Sequence, residues 1–229
     1  MIQSRAAARG LLIVFEGSEG VGKTTQVARL VSRLETLGIA CERYREPGGT
    51  PLGDEVRQLL LSPEASDVSP RAEALLFMAA RAQLVARIAS RLRDGYVVLL
   101  DRFFLSTYAY QIMGRGLPSD DVRAANRLAT GGLVPDVTLL LACDLAAAQA
   151  RMRARGDLDR MEQENSAFHS RVSTAFLAAT DPSWQAEHPE VGQVVRIAAD
   201  GSAEEVGARI EAELRARWPE TFSRLTESQ

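Results

Sequence analysis

Gly17-Ser18-Glu19-Gly20-Val21-Gly22-Lys23-Thr24 is the stretch that decides how the chain is read. It has the spacing Gly, four residues, Gly-Lys-Thr. The run Leu11-Leu12-Ile13-Val14-Phe15 before it reads as a buried strand, and Thr25 to Leu37 after it as an amphipathic helix. Strand, glycine-rich turn and helix are the context in which this spacing forms a phosphate-binding loop. Its backbone N–H groups curl inward, and the helix N-terminus adds a partial positive charge. Gly17 through Thr25 therefore form the expected site for a nucleoside triphosphate, with Lys23 on the β- and γ-phosphates and the Thr24 hydroxyl on Mg²⁺. Lys23 is also the only lysine in the chain; the other basic residues are arginines. A compact ammonium at a phosphate cradle is not replaceable by a planar guanidinium.

Composition bounds the rest. The 229 residues suit one α/β domain spanning 1–229, and a chain of this size buries roughly 70% of its unfolded surface without disulfides or metal. The net charge of −3 argues against a nucleic-acid backbone as the main partner. No apolar run approaches the ~18–20 residues of a membrane span. Residues 1–9 read as a frayed leader rather than a secretory signal, and the polar tail 220–229 as frayed too. Cys41 and Cys143 are expected to be buried free thiols in a reducing cytoplasm, and no structural zinc is expected from His169 and His188.

Short apolar strands alternate with helices along the chain, which points to a parallel sheet covered on both faces. Ile39 to Tyr44, Tyr96 to Leu100, Val137 to Leu141 and Val194 to Ile197 are the further strands. Helices are expected over Leu52 to Leu61, Arg71 to Arg93, Leu105 to Gln111, Asp120 to Thr130, Leu145 to Arg155 behind an Asp144 cap, Glu162 to Thr180, and Ala203 to Trp218. Asp101 ends a strand at the edge where ligands bind in such sheets, and is a candidate Mg²⁺ contact, directly or through water.

Beyond the phosphate loop, the order of motifs from about Leu11 to Arg215 resembles the thymidylate kinase family. The signatures are Phe15-Glu16 before the loop, Glu19 within it, Arg45-Glu46-Pro47-Gly48-Gly49-Thr50, Phe77 with Arg81, Asp101-Arg102-Phe103 and Ser106-Thr107-Tyr108-Ala109-Tyr110-Gln111. The resemblance implies a nucleoside monophosphate kinase fold, a parallel sheet of five strands between helices with a short lid over 151–162. It implies transfer of a phosphoryl group from MgATP to dTMP, by a homodimeric cytoplasmic enzyme.

It also implies roles. Glu19 reaches the sugar 3′-hydroxyl; Arg45 and Arg102 hold the acceptor phosphate; Phe77 stacks on the base, and Arg81 donates to its O4. Thr107 and Gln111 read its edge, and Tyr110 excludes a ribose 2′-hydroxyl. The loop carries no arginine, so the catalytic arginine comes from the lid: Arg153 and Arg160 are favoured, with Arg155 as alternate. The chain departs from the pattern at Ala142, where the family's strand ends in Asp, and at Phe176, where a tyrosine is common. Rival readings are a kinase of dUMP or of a deoxynucleoside, and a non-catalytic nucleotide switch. The pairing of Arg45 with Arg102 speaks against an acceptor lacking a phosphate.

Overall fold

The computed structural model of the protein describes residues 9–62, 67–144, 147, 148, 150, 151, 156 and 159–226. Five strands, β1 (Leu12–Glu16), β2 (Cys41–Arg45), β3 (Val97–Asp101), β4 (Val137–Ala142) and β5 (Val194–Ala198), form one parallel sheet in the order β2-β3-β1-β4-β5. Every residue of β1 and β3 is buried. These strands read as unbroken apolar runs because helices cover both faces of the sheet.

Alternation along the strands divides the interior into two cores. Leu12, Val14, Val98 and Leu100 pack with Leu84, Ile88 and Leu92 of α3 (Pro70–Arg93) on one face. Ile13, Phe15, Leu99 and Leu139 pack with Val27, Leu30 and Leu34 of α1 (Lys23–Thr36) on the other, joined by Val206, Ile210 and Leu214 of α8 (Ala203–Arg217). Each fully buried side chain of this kind contributes about 1.5–3 kcal/mol. Further helices are α2 (Pro51–Leu61), α4 (Phe104–Thr107), α5 (Ser119–Thr130), α6 (Ser166–Ala178), α7 (Pro182–Glu187) and α9 (Pro219–Phe222).

Side-chain caps set several boundaries. Thr50 and Ser69 accept the Gly53 and Ala72 N–H groups at the starts of α2 and α3, each followed by proline in the first turn. Ser202 and Glu205 form a reciprocal capping box on α8.

Four expectations need correction. The helix expected from Glu162 starts at Ser166. Asn165 caps it there, and the Asp159 carboxylate accepts the Met161 and Glu162 N–H groups at 2.9 and 3.0 Å, closing a turn instead. The helix expected over Leu105 to Gln111 is α4 followed by a π-helix, Tyr108–Gly114, in which the Arg115 N–H reaches the Tyr110 carbonyl at 2.9 Å. The tail packs onto the fold: Phe222 and Leu225 are 0% and 2% exposed against the α1 and α8 core. Two apolar residues three apart in a polar stretch anchor α9 and a 3₁₀ turn, Ser223–Thr226. Finally, Cys41 and Cys143 are free but only partly buried. Most of the helix expected behind Asp144 lies outside the described residues, as do 1–8 and 227–229; Arg9, at the edge of the expected leader, pairs with Asp136 at 3.1 Å. Among the described residues no helix is long and apolar enough to cross a membrane, and no cluster of His, Cys, Asp and Glu is placed to hold a metal.

Candidate active site

The sheet register builds the site. Phe15 is paired with Asp101 across β1 and β3, and Asp101 with Arg45 across β3 and β2. The chain therefore leaves three adjacent strands at one level: into the phosphate loop from β1, into Arg102 from β3 and into the Glu46-Pro47 turn from β2. This is the carboxyl edge at which open α/β sheets bind ligands.

In the loop, Gly17 has φ 137° and Gly22 φ 93°. A β-carbon at Gly17 would lie 2.4 Å from the Leu141 carbonyl oxygen, so no other residue fits. Lys23 begins α1 and is 6% exposed; its ammonium donates to the Gly17 and Ser18 carbonyls at 3.0 and 2.7 Å. Burial and the nearby Arg102 pull it down to about 8, against the pull of Glu19, Asp101 and Glu16. The Thr24 hydroxyl donates to the Asp101 carboxylate at 2.6 Å. A hydroxyl and a carboxylate oxygen at the mouth of a phosphate loop are the hard donors that Mg²⁺ takes.

Arg102 has φ 71°, a conformation costing a non-glycine residue roughly 1–3 kcal/mol. It is held there by its own N–H on the Phe15 carbonyl at 3.0 Å and by Glu16. Glu16 is fully buried, and accepts the Phe103 N–H (2.8 Å), the Ser106 N–H (3.0 Å) and the Ser106 hydroxyl (2.6 Å). Burial raises its carboxyl, and those donors and Arg102 only partly offset this. The strained turn sends the Arg102 guanidinium back over the loop, onto the Gly17 carbonyl, the Ser106 hydroxyl and Glu19. Tyr110 stacks beneath it, 5.3 Å from ring centre to guanidinium, and donates to Glu19 at 2.8 Å. Burial alone would raise the Glu19 carboxyl; Arg102, Lys23 and Tyr110 outweigh it and hold it at about 2.

A cavity of about 580 Å³ runs from this corner to α3 and the π-helix. Glu19, Gly20, Gly22, Lys23, Thr24, Thr25, Arg45, Phe77, Arg81, Asp101, Arg102, Thr107, Tyr110 and Gln111, fourteen of the expected site residues, line it, while Gly17, Ser18 and Val21 do not. Arg45 is half exposed at the rim, 3.9 Å from Asp54. Phe77 also packs near Val56, Leu60 and Ala80, so it serves the core and the cavity together. Arg81 is 2% exposed, its guanidinium bound by Glu46 and by the Asn126 side-chain oxygen at 2.9 Å and lying over the Phe103 ring. Glu46 thus pairs with Arg81 rather than with its neighbour Arg45.

The lid arginines fall differently. Arg153 and Arg155 lie outside the described residues. Arg160, favoured from sequence as a phosphate contact, does not line the cavity. It donates to the Leu60 carbonyl and to Glu73, both at 2.7 Å, because a buried carboxylate across the chain competes for its guanidinium. Arg151 lines the cavity and donates to the Ala199 carbonyl at 3.3 Å. At the two departures, the Asp144 N–H beyond Ala142 binds Asp200, and Phe176 is buried edge-on to Tyr110.

Sequence reading missed Glu16 as a scaffold, Glu73 altogether, and Arg57. Arg57 sits on α2, lines the cavity and donates to the Pro47 carbonyl at 3.1 Å; burial and Arg45 lower its affinity for the proton. Its signal was an arginine one turn and a half into the helix that follows the Pro-Gly-Gly loop.

The thymidylate kinase family model matches residues 15–206. The chain belongs to the thymidylate kinase family. It is 48% identical over 212 residues to a thymidylate kinase of Synechococcus sp. (strain JA-2-3B'a(2-13)), covering 91% of this chain and 96% of the relative. A thymidylate kinase of Leifsonia xyli subsp. xyli is 44% identical over 211 residues, 91% and 96% of the two chains. One of Exiguobacterium sp. (strain ATCC BAA-1283 / AT1b) is 42% identical over 196 residues, 85% and 89%. As a thymidylate kinase, the chain is a phosphotransferase that phosphorylates dTMP with ATP, giving dTDP on the route to dTTP.

Proposed function

We propose that transfer runs between two cationic poles of the one cavity. Lys23 and the loop N–H groups hold the ATP phosphates at one pole, while Arg45, Arg102 and Arg57 hold the acceptor phosphate at the other. The observation that carries this reading is the register pairing of Arg45 and Phe15 with Asp101, which brings both poles to one strand edge. Thr24 and Asp101 are the residues that would hold Mg²⁺, which when bound would supply neutralisation of phosphoryl charge.

Catalysis then rests on position and charge. Lys23 and an arginine from 151–155 stabilise the spreading charge of a loose transition state, and Arg102 aligns the attacking phosphate oxygen. The acceptor phosphate is already ionised near neutral pH, so no general base is needed. At the base end, Phe77 stacks, and Arg81, Thr107 and Gln111 read the edge. Tyr110 crowds the 2′ position and Glu19 meets the 3′-hydroxyl.

The chain works as a single kinase domain in the cytoplasm. It pairs as a homodimer through α3 and α5, which leave Leu75 and Leu128 62% and 87% exposed. The experiment is ADP release with MgATP and a panel of monophosphates: dTMP, dUMP, CMP, AMP, GMP and ribosylthymine monophosphate. A preference for dTMP over every other member is expected. Equal turnover of the ribose and deoxyribose thymine nucleotides would remove the role given to Tyr110, and turnover independent of any acceptor would overturn the two-pole reading.

A further inference from the structure

We propose that Glu73 is a positioning residue that decides which hydrogen-bonding face Gln111 turns to the base, and so selects a base carrying an N3–H over cytosine. The inference rests on the reading that Gln111 meets the base.

Glu73 stands in the first turn of α3 and is 0% exposed. Its carboxylate is fully engaged. One oxygen accepts the Gln111 side-chain N–H at 2.9 Å and the Arg115 Nε–H at 3.2 Å. The other accepts from the terminal nitrogens of Arg115, at 3.0 Å, and Arg160, at 2.7 Å. These donors hold the carboxyl below its ordinary range even though burial acts to raise it. An ionised carboxylate can only accept. Gln111 must therefore turn its amide nitrogen, through one of its two N–H groups, to Glu73, which directs its carbonyl oxygen away from the carboxylate and toward the cavity that the residue lines.

That oxygen matches one class of base. Thymine and uracil carry a hydrogen on N3 and can donate to it. Cytosine carries a lone pair on N3, which would face the oxygen's own lone pairs. A site built around a hydrogen bond rejects the partner that cannot make it, because a buried polar group is left unpaired.

Glu73→Gln is isosteric and should reverse this choice. At the position shared by Arg115 and Arg160 its amide nitrogen would face two donors at 3.0 and 2.7 Å, whereas beside Gln111 it displaces only the longer Arg115 Nε–H contact at 3.2 Å, so it takes the position facing Gln111. Gln111 then turns its oxygen to the new donor and offers its nitrogen to the base.

The test is kcat/KM for dTMP and for dCMP, with MgATP, in the full chain and in Glu73→Gln, Glu73→Asp and Gln111→Leu. In Glu73→Gln the dTMP-to-dCMP ratio should fall at least about tenfold, the size expected when one buried hydrogen bond is inverted. Loss of efficiency in equal proportion for both nucleotides, with the ratio unchanged, would mean that Glu73 only supports the fold. If Glu73→Gln melts below the assay temperature, Glu73→Asp carries the test. Its shorter carboxylate retreats from Gln111 while keeping its charge for the arginines, and the ratio must still fall about threefold or the proposal is lost. Gln111→Leu separates the premise from the inference. An unchanged ratio in that variant removes the reading that Gln111 meets the base. A changed ratio there, with none in Glu73→Gln, removes the role of Glu73 alone.

Discussion

The two ends of the cavity are built in opposite ways. At the phosphate end the groups come from the chain just beyond strand ends: Gly17 to Thr24 after β1, Asp101 and Arg102 at the end of β3, Arg45 at the end of β2. Backbone N–H groups and a left-handed turn do much of the positioning, and the side-chain contacts that follow, Thr24 to Asp101 and Arg102 to Gly17 and Glu19, join residues at the ends of adjacent strands. At the base end the groups are placed by buried side-chain partners on other elements rather than by the backbone. Arg81 is set by Glu46 and Asn126, and Gln111 by Glu73, with sequence separations of 35, 45 and 38 residues. A phosphate is recognised by charge and by N–H groups that any backbone supplies, so a short motif suffices. A base edge requires a donor or acceptor at a stated point, and only a buried, fully paired network holds one still.

Changes at the phosphate end should therefore cost turnover, and changes at the base end should cost stability or selectivity. The largest effect belongs to Lys23→Ala, for which kcat should fall by roughly 10²–10⁵ while the thermal midpoint holds or rises. The retained midpoint follows because the fold keeps this ammonium at about 8, below its ordinary 10.5, and gains nothing from its charge. Steady-state ADP release beside a melting curve checks both halves; near-normal turnover would break the contrast at its strongest point.

Next is Glu46→Ala, which leaves Arg81 charged and buried beside Asn126. Breaking one side of a buried pair costs about 3–5 kcal/mol. In a chain of this size that lowers the melting temperature by roughly 6–20 °C. Calorimetry decides it, and a change under two degrees would show that the base end does not depend on that pair.

The smallest effect is a pH dependence at the boundary between the two ends. The folded state holds Glu19 at about 2, below its ordinary 4.5, so the unfolded chain binds the proton more readily. Its stabilisation is fully present above 4.5 and is lost as pH falls toward 2. In Glu19→Gln the urea midpoint should decline less steeply across that window than in the parent protein. Parallel slopes would mean that Arg102 and Tyr110 do not hold this carboxylate.

The same contrast marks what was legible from the residues alone. β1, β3 and β4 were visible as apolar runs because both faces of the sheet are covered there, and the expected starts of α2, α3 and α8 fall within a residue of those that Thr50, Ser69 and Ser202 cap. The π-helix was not visible, since Thr107 and Gln111 fit ordinary helical spacing in sequence. The packing of the tail was hidden because Phe222 and Leu225 are too few to make a pattern. The pairing of Arg160 was hidden for a related reason. A basic residue near a glycine looks free until Glu73, 87 residues earlier, is brought beside it.

The sequence by itself determined the phosphate-binding fold, its glycine-rich loop and the order of the family's motifs, because these depend on residues a few positions apart and on the geometry of one strand, one turn and one helix. Only the tertiary structure decided that Glu46 serves Arg81 rather than Arg45, that Glu16 supports the Arg102 turn, and that Glu73 gathers Gln111, Arg115 and Arg160. A buried charge must be neutralised by whatever the fold brings within hydrogen-bonding reach, and spacing along the chain carries no record of that choice.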